Sequence, residues 1–288
     1  MSRQTTLDPV APLSTYAERG YAVLPGAFTV AEVEQLRSEA VAICRGDRGA
    51  IEGVEAAGIG DPDDAVIRRI LAIDNPHKVS SLAHDTLRHS IVVDALRAII
   101  GPNVKAMQSM LFIKSPGRPG QAWHQDELFI PTRDRSLTGV WIALDDATVD
   151  NGCLWVIPGS HVPGTLYPDR SQSDPRFDCS DEAYGFAYVE ADAVPVEVAA
   201  GSVVCFNGYL LHRSLPNTSD GYRRALVNHY MSAQSLLPWK KLPTGTHIGE
   251  HDYRDIVMVA GVDPYASKGV TDLSRAEVRP DGAGGCGH

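Results

Sequence analysis

Two side chains able to bind a metal stand two positions apart, His124 and Asp126, in the run Gln121-Ala122-Trp123-His124-Gln125-Asp126. On an extended strand, residues two apart face the same way, so an imidazole and a carboxylate can meet at one point. A second imidazole from a neighbouring strand would complete a set of two histidines and one carboxylate. Such a set grips Fe(II) by one face and leaves positions open for a cosubstrate and oxygen. The candidate is His212, 88 positions on (212 − 124), near the end of the apolar, β-branched run that begins at Ser202. Eleven positions later (223 − 212), Arg223 opens another strand-like run, Arg223-Arg224-Ala225-Leu226-Val227-Asn228-His229-Tyr230. Arginine keeps its charge and suits a two-pronged grip on a carboxylate. Each of these signals is weak alone, since His-x-Asp is a common tripeptide; the set is not.

The set, with its surroundings, resembles the phytanoyl-CoA dioxygenase family of Fe(II)/2-oxoglutarate oxygenases. The likeness is carried by Gly139-Val140-Trp141-Ile142-Ala143-Leu144-Asp145-Asp146-Ala147-Thr148, Asn151-Gly152-Cys153-Leu154 and Ile157-Pro158-Gly159-Ser160-His161. It extends to Gly20–Phe28 and Leu111–Gly117, and so spans roughly residues 15 to 235. The resemblance implies catalytic iron ligands His124, Asp126 and His212. It makes 2-oxoglutarate the cosubstrate, its far carboxylate meeting Arg223 and the hydroxyl of Ser214, with Gln108 reaching it from a preceding strand. It further implies an O₂-dependent hydroxylation of a small molecule with release of succinate and CO₂, and ascorbate as a stimulant.

Other chemistry-bearing residues have plainer expected uses. Arg224 is the adjacent alternative to Arg223, and on an alternating strand only one of the two can point inward. His161, in the Pro-Gly-Ser-His turn, is expected to serve a structural hydrogen bond. His229 could face the pocket but is expected to be a satisfied core histidine; neither should be needed to hold metal. His251-Asp252 is expected at the surface, and Trp123, Trp141 and Trp155 in the packing.

These residues must be held by a scaffold. Runs at Tyr21–Leu24, Val104–Lys114, Gln121–Asp126, Thr138–Leu144, Cys153–Ile157, Val194–Val198, Ser202–Phe206 and Arg223–Ser232 are expected strands, separated by Gly/Pro turns. Thr29-Val30-Ala31-Glu32 is a capping box, followed at helical spacing by Val33, Leu36, Ala40, Val41 and Cys44. Ser80–Arg88 and Ile91–Ile100 read as helices, the second stopped by Gly101-Pro102. Many short strands indicate a sandwich or barrel, and the resemblance narrows it to a mainly β fold with flanking helices, a double-stranded β-helix (cupin-like jelly roll). Residues 1–288 are expected to form one dioxygenase domain with its core at about 15–235, a loose arm at 1–13, a surface loop at 46–64 and a disordered tail from about 279.

Composition bounds the rest. A formal charge of −10 and a pI near 5.4 disfavour a nucleic-acid surface, which needs a basic footprint, and an acidic membrane. There is no early apolar leader and no run of eighteen apolar residues, so a cytoplasmic protein is expected. Five cysteines, at 44, 153, 179, 205 and 286, show no C-x-x-C spacing, which fits reduced thiols. The small-molecule substrate is not expected to be a CoA ester. Its phosphates would want a basic cluster, and Arg133 and Arg135, flanking Asp134, are the only tempting pair.

Thr165–Asp192 is rich in acids and poor in apolar residues. It is too polar to fold alone and long enough to be a lid. Together with the Phe129–Ser136 loop it is expected to cover the metal and select the substrate. Asp126 argues against a halogenase, which needs a small residue there to admit halide. Two readings stay open beside the main one: a non-catalytic metal- or metabolite-binding jelly roll, and a cupin-type oxygenase independent of 2-oxoglutarate.

Overall fold

A computed structural model of the chain describes residues 13–178, 181–236, 256–270, 272 and 274–279. The N-terminal arm through Pro12, Cys179, His247, His251-Asp252, Cys286, His288 and the tail beyond Arg279 lie outside the described residues. The first half runs α1 (Tyr16–Arg19), β1 (Tyr21–Leu24), α2 (Val30–Cys44), α3 (Asp63–Ile67), β2 (Ala72–Asp74), α4 (Ser81–Thr86), α5 (Ser90–Ile99) and β3 (Val104–Lys114). Then follow β4 (Gln121–His124), α6 (Asp126–Phe129), β5 (Thr138–Ala143), β6 (Leu154–Val156), β7 (Asp169–Arg170), β8 (Glu182–Ala183) and β9 (Val194–Val196). The chain continues through β10 (Val203–Asn207), β11 (His212–Ser214), β12 (Arg223–Ser232), β13 (Val257–Ala260) and β14 (Glu277–Val278).

Eight strands make a large sheet in the order β1-β10-β5-β12-β3-β2-β14, with β13 also on β3; four make a smaller one, β4-β11-β6-β9. Pairing between these strands is antiparallel throughout. The two sheets face each other as a jelly roll with helices on the outside.

Side-chain alternation explains the layers. On β5, Val140 and Ile142 turn outward to meet Leu111, Ile113, Val203, Cys205 and Leu226, and α2 closes over them with Val33, Leu36, Ala40 and Ile43. Trp141 and Ala143 turn inward, with Val204, Phe206, Ala225 and Val227, and pack against Cys153, Val156 and Val196 of the smaller sheet. The capping box at the head of α2 is formed: Thr29 Oγ1 accepts from Glu32 N, and Glu32 accepts from Thr29 N at 2.7 Å.

Two boundaries differ from the sequence reading, and both matter. The strand expected over Gln121–Asp126 stops at His124, and Asp126 opens the single-turn helix α6. The strand expected to carry His212 from Ser202 is broken. β10 ends in the large sheet at Asn207, and His212 opens β11 in the small one. Asn207 makes the crossing by accepting from Tyr209 N at 2.9 Å through its side chain and from Leu210 N at 2.9 Å through its carbonyl. Gly208 must be bare there, because a Cβ would lie 2.8 Å from Leu137 and 2.9 Å from Glu127 Oε2. Short strands β2, β13 and β14, in stretches to which the sequence reading assigns no element, and helix α3, at the end of the expected 46–64 loop, complete the described fold.

Candidate active site

β3 and β12 pair over their whole lengths, from Arg223↔Lys114 at one end to His229↔Gln108 towards the other. Residues two apart share a face, so Gln108, Met110, Phe112 and Lys114 look the same way as Arg223, Val227 and His229. All seven line one cavity of about 550 Å³. Its opposite wall is β4 and β11, where His124 and His212 are direct register partners.

His124, Asp126 and His212 are all buried, and one ligand atom from each lies within 4.8 Å of the others. Each imidazole is oriented by its own backbone. His124 Nδ1 bonds the carbonyl of Ala122 at 2.8 Å and His212 Nδ1 that of Leu210 at 2.9 Å. An Nδ1–H given to a carbonyl leaves the Nε2 lone pair for a metal. Asp126 Oδ1 sits 3.7 Å from His124 Nε2 and 3.5 Å from His212 Nε2. Burial, then the neighbouring His212, pushes the His124 imidazole down to about 3, so it is neutral. Burial alone would raise the Asp126 carboxyl, but His212, His229 and His124 outweigh it and hold it well below the usual carboxylate range. Two imidazole nitrogens and an ionised oxygen, with no thiolate, fit Fe(II).

The Arg223 end is cationic. Arg223 is buried, its guanidinium 5.6 Å from the Trp141 ring centroid, and its Nε has no protein partner. Lys114, directly across, is also buried and donates to Ser214 Oγ at 2.8 Å and Leu215 O at 2.6 Å. Burial pushes Arg223 down to about 10, and burial and then Arg223 lower Lys114 well below its ordinary value. Like charges facing each other across strands are unfavourable, and a bound carboxylate would relieve them. Gly152 belongs to this end too: its φ is +80°, and a Cβ would come within 2.9 Å of Lys114 Nζ. Arg224 points to the other face and clasps Asp145 with Nε at 2.8 Å and Nη2 at 2.7 Å.

Gln108, Ser214 and Arg223 all line the one cavity, Ser214 and Arg223 at the Lys114 end and Gln108 further along, beside His229. Gln108 lies six residues along β3 from Lys114, roughly 20 Å at about 3.3 Å per residue, with Oε1 buried and unpartnered beside His229. His161 stays outside the cavity, bonded to Ala17 O at 3.0 Å over Gly20. Trp141 packs in the core and also lines the cavity. Three residues were given no chemistry by the sequence reading: Lys114, His229 and Gln125. The first two could have been found from parity, being even steps from Gln108 and Arg223. His229 is buried, as expected, yet its Nε2 bonds Asp126 Oδ2 at 3.0 Å.

The described residues of the 165–192 segment, 165–178 and 181–192, are docked. Tyr167, Phe186 and Tyr188 pack against Trp123, Ile157 and Leu211. Gln125, between the two outer letters of His-x-Asp, donates to Tyr209 O at 2.7 Å and Thr165 O at 3.0 Å and accepts from Tyr167 N at 2.8 Å. The segment's Asp178 and Asp181, with Phe129 and Ile130 from the facing loop, reach the cavity wall. Asp178 lies 3.7 Å from Arg279.

Comparison with known proteins gives a consistent picture. A phytanoyl-CoA dioxygenase of Arabidopsis thaliana is 39% identical over 141 residues, 47% of each chain. The match thus spans about half the length of such relatives. A probable alpha-ketoglutarate-dependent hypophosphite dioxygenase of Stutzerimonas stutzeri is 28% identical over 253 residues, 85% of this chain and 84% of that one. Among solved structures, the apo form of the non-heme monooxygenase ThoJ superposes with a TM-score of 0.67 at 24% identity, covering 94% of this chain and 88% of that one. The profile of phytanoyl-CoA dioxygenase (PhyH) matches residues 16–225, and the chain belongs to that family.

Proposed function

We propose that the protein is an Fe(II)- and 2-oxoglutarate-dependent dioxygenase that hydroxylates a small molecule, releasing succinate and CO₂. One observation carries this reading. A buried His124–Asp126–His212 cluster shares one cavity with two buried basic side chains, Arg223 and Lys114. His124, Asp126 and His212 would hold the iron, which when bound supplies the activation of O₂. Arg223, Lys114 and the Ser214 hydroxyl would grip the far carboxylate of 2-oxoglutarate and fix its direction along the cavity. Trp141, Met110 and Phe112 line the space between and exclude water. The Stutzerimonas relative, a probable alpha-ketoglutarate-dependent dioxygenase matched over most of both chains, supports the same cosubstrate.

The primary substrate is a small molecule other than a CoA ester. Asp74, Asp178 and Asp181 on the cavity wall have the wrong sign for the phosphates of CoA, and the wall's Arg213 and Arg279 are engaged with Glu190 and Asp178. Arg135 is engaged elsewhere, over the Tyr209 ring at 5.4 Å. A cytoplasmic setting fits the buried free thiols of Cys44, Cys153 and Cys205. Among the described residues no helix is long and apolar enough to cross a membrane.

The test is succinate release under Fe(II), ascorbate and O₂, screened across a metabolite library. Succinate that depends on 2-oxoglutarate and is stimulated by one class of compound supports the proposal. O₂ consumption without 2-oxoglutarate would point to a cupin-type oxygenase, and metal binding with no turnover to a binding protein.

A further inference from the structure

Three imidazoles converge on the Asp126 carboxylate, and they divide its oxygens. Oδ1 faces His124 Nε2 and His212 Nε2 at 3.7 and 3.5 Å, while Oδ2 faces His229 Nε2 at 3.0 Å. An ionised carboxylate accepts only, so His229 must carry its proton on Nε2. On the far side of the ring, Nδ1 is buried without a partner. A histidine that merely satisfied itself in the core would have bonded both nitrogens; this one is bonded to Asp126. Its aim follows the strand alternation it shares with Arg223 and Val227; the extra residue of the ladder, Met107, lies on β3 between Gln108 and Ala106, the partners of His229 and Tyr230. Tyr230 then packs in the outer core.

We infer that His229 is a positioning residue that restricts Asp126 to a one-oxygen grip on the metal. The His229 N–H holds Oδ2 towards itself and leaves Oδ1 as the oxygen that faces His124 Nε2 and His212 Nε2. A freed Oδ2 could swing onto the metal as a second ligand and take a position that the cosubstrate or O₂ requires. Partners of this outer kind set ligand orientation, and their loss weakens metal binding about 10–100-fold. The inference rests on the metal-site reading above.

Co(II) serves as the probe, because its visible absorption reports the number and arrangement of ligands. Wild type is expected to bind one Co(II) per chain. His229→Leu should bind it about 10–100-fold more weakly and with an altered visible spectrum. His229→Gln, whose amide N–H can reach the same oxygen, should recover much of both. A folded His229→Leu protein with wild-type affinity and spectrum would overturn the role of His229 alone. Wild type that takes up no Co(II) would overturn the metal site itself. A second measurement needs no variant: nitrogen-15 NMR of the histidine rings in Zn(II)-loaded wild type. A proton on His229 Nε2 supports the inference, and a proton only on Nδ1 overturns it.

Discussion

The inner cavity and its mouth are built by opposite means. Inside, β3, β12, β4 and β11 fix every functional side chain except that of Asp126, at the head of α6, through backbone pairing, and the cavity-facing strand residues follow by counting in twos. At the mouth, the 165–192 segment and the loop after α6 are held by side-chain hooks. Those hooks interleave with the metal ligands: His124 and Asp126 turn to the cavity, while Gln125 and Glu127 turn to the loops. Gln125 ties Thr165 and Tyr167, and Glu127 accepts from Thr132 through its backbone N–H and, at 2.6 Å, its hydroxyl. The sheets and the head of α6 thus hold the candidate ligands and the loops line the mouth, with one short stretch joining the two.

Breaking the inner frame should have the largest effects. Removing His124, Asp126 or His212 is expected to abolish Fe(II)-dependent succinate release and to weaken metal uptake in equilibrium dialysis, whereas His161→Ala should leave both intact. Next comes the cationic end. Arg223→Ala should cost on the order of 3–5 kcal/mol in 2-oxoglutarate affinity, more than a hundredfold by calorimetry, with Arg223→Lys recovering part of it. Lys114→Met should cost about 1.5–3 kcal/mol, the worth of a charged hydrogen bond. A larger effect from Arg224→Ala would reverse the assignment of strand faces.

The hooks at the mouth should act on stability before chemistry. Burial raises the Glu127 carboxyl from 4.5 to about 7. A raised folded-state value means stability that is full below the unfolded value and lost as pH rises through the folded one. Wild type should therefore lose up to about 3 kcal/mol between about pH 4.5 and 7, and Glu127→Gln should lack that part of the slope in urea melts. An unchanged slope would mean the Glu127 carboxyl titrates normally. The smallest effect on the frame is expected from Asp178→Asn and Asp181→Asn. They should change which library compounds stimulate succinate release while leaving metal and 2-oxoglutarate affinities within about twofold. Equal protease cleavage of the 165–192 segment with and without metal, 2-oxoglutarate and substrate would remove the case for a lid.

The sequence made the strand-built part legible because period and spacing are local signals. Val104–Lys114 and Arg223–Ser232 fall on the residues expected, and the capping box of α2 is formed. The His124, Asp126, His212 and Arg223 spacing places those residues around one cavity. What stayed hidden depends on register between distant strands. Lys114 faces Arg223, and His229 reaches Asp126, only because β3, β12 and the turn into α6 are aligned in space. The break between β10 and β11 was missed because Val203–Leu211 is almost continuously apolar, and only the Asn207-Gly208 pair marks the crossing. The 165–192 segment looked too polar to order itself. Its described residues, 165–178 and 181–192, dock through three aromatic rings and the amide of Gln125.

The central claim is that one cavity holds both the metal and the far carboxylate of 2-oxoglutarate. It is tested most directly by titrating 2-oxoglutarate into Fe(II)-loaded protein without O₂ and following the visible charge-transfer absorption of the iron. A saturable band, absent in His212→Ala and needing more than a hundredfold more 2-oxoglutarate in Arg223→Ala, is the predicted result. A band of wild-type strength and midpoint in both variants would contradict the account.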